Sequence, residues 1–297
     1  MSHVECTYRG KKTQIDFAEG WNKLSREQLL WIAADWDEIR DTLKKYPAGI
    51  HYWRTRLLFM LAGYRKYNMF SRKCRALMSL LPSKKEAKRN GSTPEFSDRY
   101  YYLTSLLDIS NWVWTENVTL TKNLLPTVKV GGKTLHGPAY ECSGMVVKEF
   151  VFVDTLYAQW LKTRDEETLN EFIACLYRPE GNVDLLSKDY TGDRRSVFNN
   201  LATDLWMPAV KKMDRATKIA ITLFYQGCRV KWEKRYTHVF DASESSGGGQ
   251  SGWFSVLSEL PADKFGTFSE REYMPIDTVF MELERMIINN TQNTTEE

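Results

Sequence analysis

At 297 residues, with 42% hydrophobic and 27% charged side chains, the chain has ordinary globular composition and enough length for one large core or two modest ones, which excludes wholesale disorder. The net charge of +3 makes any excess of cations a local one. No run of about 18 apolar residues occurs and the N-terminal MSHVECTYRG lacks a basic-then-apolar leader, so neither a membrane span nor secretion is expected.

Residues 3–17 alternate weakly around Arg9-Gly10-Lys11, which predicts a small β-hairpin. Ser25-Arg26-Glu27-Gln28 is a capping-box pattern. It opens a helix that carries Leu29, Ile32, Trp36, Ile39 and Leu43 and stops before Pro47. A second helix is expected from Ile50 to Tyr67. From Arg54 to Arg89 basic residues crowd the chain against the single acid Glu86, and Pro82 to Pro94 reads as an exposed loop. Helix resumes near Asp98 and runs towards Trp112. In 126–138 the pair Gly131-Gly132 between Val128, Val130 and Thr134, Leu135 predicts a second hairpin.

Residues 143–178 carry the clearest signal. Apolar residues recur at Val146, Phe150, Val153, Tyr157 and Trp160, then at Leu169, Phe172, Ile173, Leu176 and Tyr177, the spacing of two adjoining amphipathic helices. Residues 178–200 are polar and irregular. Helices return at Leu201 to Trp206 and at Ala216 to Lys234, where Ile219, Leu223, Phe224, Gly227 and Val230 form a stripe. DASESSGGGQSG (241–252) is read as a flexible loop. A short helix near Trp253 to Leu260, another from Pro275 to Ile288 and a frayed tail complete the chain. The fold class expected is mainly α, a multi-helix body with two small hairpins. It divides as 1–90, a hairpin with a basic helical region, and 91–297, a helical body, or forms one domain.

Few residues suggest chemistry. The five cysteines, Cys6, Cys74, Cys142, Cys175 and Cys228, are scattered and include no C-x-x-C, which favours buried reduced thiols over disulfides or zinc. Four dispersed histidines give no metal-ligand spacing, so no metal is expected. A Cys142-His136-Asp154 nucleophile is conceivable, but a satisfied loop histidine is the plainer reading. Gly247-Gly248-Gly249 lacks the Lys-Ser/Thr that a phosphate loop needs, so no nucleotide or other cofactor is expected and the chain is read as non-enzymatic. The 13% aromatic content suits packing faces in cores and interfaces.

Three stretches resemble a group of uncharacterised proteins of Bacteroidetes tailed phages and prophages, encoded among virion-morphogenesis genes near the tail tape-measure gene. They are Tyr8-Arg9-Gly10 with Trp21-Asn22-Lys23-Leu24-Ser25; Phe150 to Tyr157 with Leu169 to Arg178, ending Ala174-Cys175-Leu176-Tyr177-Arg178-Pro179; and the Gly-rich segment leading to Trp253 and then Met274-Pro275-Ile276-Asp277. The resemblance implies a non-enzymatic role in building a tail or neck, as a tail-assembly chaperone or a connector component. Its partners would be other virion proteins or further copies of the chain, met in the host cytoplasm during assembly or in the virion. Two contact regions are expected: Gly247, Gly248, Gly249, Trp253 and Phe254, and Arg65, Lys66, Arg72 and Lys73. Trp253 and Phe254 have a second reading, as the start of a buried helix. The alternative function is nucleic-acid binding through segment 54–89, where Tyr64, Tyr67 and Phe70 lie among the cations.

Overall fold

A computed structural model describes residues 2–45, 50–80, 105–114, 117–182, 192–245, 249–258 and 265–295, together with 184, 186–188, 190, 260 and 261. The chain is mainly helical, with two separate two-stranded antiparallel sheets among the described residues. It divides into two compact units, Met1–Val118 and Thr119–Glu297. The sequence-expected boundary near 90, the loop 82–94 and the helix start near Asp98 lie outside the described residues.

In unit 1, β1 (Ser2–Tyr8) pairs with β2 (Lys11–Phe17) from Ser2↔Phe17 to Tyr8↔Lys11. The turn between them puts Arg9 at φ 49° and Gly10 at φ 73°, the left-handed pair that a two-residue hairpin loop requires. Thr13, Ile15 and Phe17 face inward on alternate positions of β2.

The capping box forms as expected: Ser25 Oγ accepts from the Gln28 amide at 3.2 Å and Gln28 Oε1 accepts from the Ser25 amide at 2.8 Å. Helix α1 (Arg26–Ala34) then ends at Asp35, and α2 (Trp36–Lys45) begins one residue later, where one continuous helix was expected. Aspartate favours helix ends over interiors, and Asp35 pairs with Arg56 at 2.6 Å. The stop before Pro47 falls outside the described residues.

Helix α3 (Ile50–Leu61) is six residues shorter than the expected run to Tyr67. Gly63 at φ 86° closes it, while the Gly63 and Tyr64 amides donate back to the carbonyls of Met60 and Phe59 at 2.9 and 2.8 Å. The Gln28 side chain donates through Nε2 to the Met60 and Leu61 carbonyls at 3.2 and 2.8 Å, so the start of α1 also caps the end of α3. Helix α4 (Arg72–Ser79) lies across both strands of the hairpin and buries Cys74, Ala76 and Leu77. Trp21 packs edge-on against Trp36 at 5.7 Å and Trp112 at 5.4 Å, the latter on the short α5 (Asn111–Trp114).

Unit 2 opens with β3 (Thr127–Val130) and β4 (Lys133–His136), joined through Gly131 at φ 56° and Gly132 at φ 75° as expected. Helices α6 (Val147–Thr163) and α7 (Glu166–Leu176) form an αα-hairpin. Arg164 at φ 56° ends the first, and Asp165 caps the second by accepting from the Thr168 amide at 2.8 Å. Phe150, Val153, Tyr157, Trp160, Leu169, Phe172, Ile173, Leu176 and Tyr177 are all buried, as their spacing predicts, and Val146 is half-buried.

A short 3-10 turn (Asn200–Leu205) leads through α8 (Met207–Lys211) to the central helix α9 (Arg215–Arg235). Between Thr217 and Tyr225 this helix is buried on every side. That includes Lys218, whose ammonium reaches Glu166 at 2.6 Å.

Two sequence expectations fail in this unit. Residues 241–245 and 249–252 are not loop; they belong to α10 (Thr237–Ser245) and α11 (Gly249–Ser258). Glycine at 252 serves close packing, because a Cβ there would stand 2.3 Å from the Ser243 carbonyl oxygen. The tail also stays helical: after the short α12 (Phe268–Arg271), α13 runs from Ile276 to Thr295. Phe150, Phe240, Trp253 and Phe280 meet in one aromatic core, with ring centroids 4.8–5.6 Å apart.

Candidate interaction surfaces

Of the first expected contact region, Trp253 lies inside unit 2. It is 1% exposed, and its indole N–H donates to Asp154 Oδ2 at 2.8 Å. This is the buried-helix placement, and the indole offers no face to a partner. Gly249 starts α11, whereas Gly247, Gly248 and the Phe254 side chain lie outside the described residues.

The second region is exposed. Arg65 and Lys66 sit in the bend between α3 and α4, followed by Tyr67 at 55%, Met69 at 61% and Phe70 at 90% exposure. The bend is ordered by Asn68, whose side chain accepts from the Phe70 amide at 2.9 Å, and by a Ser71–Tyr64 hydroxyl bond of 3.0 Å. Arg72 and Lys73 follow in the first turn of α4. Arg72 donates to the Lys12 carbonyl at 3.2 Å, and Lys73 stands 3.8 Å from Asp16.

Cys142, His136 and Asp154 each have other partners. Burial pushes the Cys142 thiol up, and it faces Cys228. His136 Nδ1 is 3.4 Å from Thr127 Oγ1. Asp154 accepts from Tyr225 at 3.0 Å and from Arg229 and Trp253 at 2.8 Å each. Among the described residues no three potential ligands stand together as a metal site, and no helix is long and apolar enough to cross a membrane. All five cysteines are buried free thiols, as their scatter predicts, with burial raising Cys175 to about 12.

Sequence reading missed the surface at 197–205. Val197 is 78%, Leu201 81% and Leu205 70% exposed, although Phe198, Thr203 and Trp206 beside them are buried. The segment is clamped at both ends. At its start, Glu149 on α6 takes both Arg178 and Arg195, all three almost fully buried. Arg195 also forks onto Asp193 (Nη2 to Oδ2, 2.6 Å) and donates to the Leu176 carbonyl at 2.9 Å. Arg178 donates to the Cys175 and Ser196 carbonyls at 2.7 and 2.9 Å and lies 5.4 Å from the centre of the Phe198 ring.

Two acids and two guanidiniums thus neutralise one another and leave every guanidinium nitrogen occupied. Burial alone would lower Arg195, but Glu149 and Asp193 outweigh it and hold the guanidinium charged. At the far end of the segment, the Trp206 indole donates to the Ala174 carbonyl at 2.8 Å. The irregular 178–200 stretch hid this: an exposed leucine has a sequence signal only when the burial of its neighbours is known.

No family model matches the chain, and no curated protein and no solved structure matches it.

Proposed function

We propose that this chain is a non-enzymatic assembly protein of a tailed phage, acting at the tail or neck by protein–protein contact through the segment that exposes Val197, Leu201 and Leu205. The observation that carries the reading is that three aliphatic side chains at least 70% exposed stand on a segment pinned by buried charges.

Covering each side chain is worth about 1.5–3 kcal/mol, against an association cost of about 4–15 kcal/mol. These three side chains alone therefore make a weak contact. Repeated around a ring, the same contact becomes strong through avidity, which favours the connector role over the chaperone role. The phage setting itself rests on the residue resemblance described above.

The test is Leu201→Asp with Leu205→Asp in one chain, expressed during phage growth. The variant should melt within a few degrees of the parent, since its changed side chains face solvent, but lose its co-sedimentation with tail or neck particles. Equal co-sedimentation of parent and variant would contradict the proposal.

A further inference from the structure

Two sequence-distant stretches, 8–12 and 65–75, meet at one end of unit 1. The Tyr8 ring takes Arg9 on one contact and Arg75 of α4 on another, each guanidinium 5.6 Å from its centre. One turn earlier on α4, Arg72 holds the Lys12 carbonyl, which brings the hairpin tip with Lys11 and Lys12 against the helix. The bend bearing Arg65 and Lys66 folds back on that same first turn, where the Asn68 amide donates to Cys74 Sγ at 3.3 Å.

Among the described residues, two acids pair with these cations. Glu5 stands 3.8 Å from Lys12 and Asp16 3.8 Å from Lys73, both pairs largely in water and so weak. Helix α4 has no acid in its first turn and instead starts with Arg72 and Lys73, the unfavourable sign for the positive end of a helix dipole. The buried Nε of Arg75 has no hydrogen-bond partner. Beside these cations the rings of Tyr67 and Phe70 stand in solvent.

From this we infer that the hairpin tip, the bend 65–70 and the start of α4 form a binding site for single-stranded nucleic acid, with phosphates on the cations and bases stacked on Phe70 and Tyr67. Charge complementarity selects a polyanion. The exposed aromatic faces select one with accessible bases, since a duplex hides its own and an acidic peptide has none to stack.

The test is fluorescence anisotropy of the full chain with labelled oligo-dT, a duplex of the same length, and polyglutamate. Oligo-dT should bind saturably at 50 mM salt and weaken with salt along a straight log–log line. Arg65→Ala with Lys66→Ala should flatten that line by about 1.4, two released counterions at about 0.7 each. Phe70→Ala should weaken oligo-dT binding about tenfold, the loss of one stacked base, and change duplex binding far less. None of these side chains is buried, so the melting temperatures should match the parent.

Absence of oligo-dT binding at 50 mM salt overturns the inference, and so does indifference to all three substitutions. Polyglutamate or duplex bound as tightly as oligo-dT, with Phe70→Ala silent, also overturns it, in favour of an acidic protein partner or of duplex binding. The proposed role of segment 197–205 in unit 2 stands or falls separately.

Discussion

Glu149→Gln is expected to destabilise the protein by about 3–5 kcal/mol, the usual loss when one member of a buried charge group is removed. Glu149 is 1% exposed and is the carboxylate shared by Arg178 and Arg195, which are 3% and 4% exposed. The amide keeps the shape and leaves two buried guanidiniums facing Asp193 alone. At roughly 2–4 °C per kcal/mol for a unit of this size, the thermal midpoint should fall by about 10 °C. Glu167→Gln, which breaks the half-exposed pair with Lys211, should move it by less than about 4 °C, because surface pairs contribute under about 1 kcal/mol.

The same cluster sets an acid limit. Asp193 is half-buried, which would raise it, but Arg195 outweighs the burial and holds its carboxyl below the usual range. Its contribution is therefore complete above the ordinary carboxylate range near pH 4 and is lost as pH falls through the depressed value. Equal midpoints for parent and Glu149→Gln would show that the quartet does not hold segment 178–200.

Gly227→Ala is the second large effect, with an expected loss of about 2–3 kcal/mol. In an exposed helix this change gains about 1 kcal/mol through propensity. Here the added methyl would stand 2.2 Å from the Leu120 carbonyl oxygen and 2.5 Å from the Leu120 nitrogen and carbonyl carbon. Backbone must move on a buried strip against a helix that is itself surrounded, so the gain is overrun. A calorimetric midpoint at or above the parent's would mean that residues 119–121 yield freely.

Helical periodicity made α6, α7 and α9 legible before any coordinates, because their core faces follow the 3.6-residue repeat. Both hairpins were legible from turn glycines that need positive φ. The glycines near 250 misled for the opposite reason: composition signals flexibility, while Gly252 is small so that α11 can touch the Ser243 backbone. Sequence supports two readings of Trp253, a contact and the start of a buried helix, and cannot choose between them because its N–H partner Asp154 lies 99 residues away. The basic bend could be read locally, but its union with Arg9, Lys11 and Lys12 required the fold. The exposed segment 197–205 was invisible, because the charges that clamp it come from three separate segments.

The claim that this chain works by presenting a held apolar surface to other virion proteins is tested most directly by a photo-crosslinking amino acid at position 201, activated in infected cells. The account predicts adducts with a tail or neck protein, or with a second copy of the chain, and none from the same probe at the exposed position Lys162. A probe at 201 that yields no adduct, or the same adducts as one at 162, would contradict it.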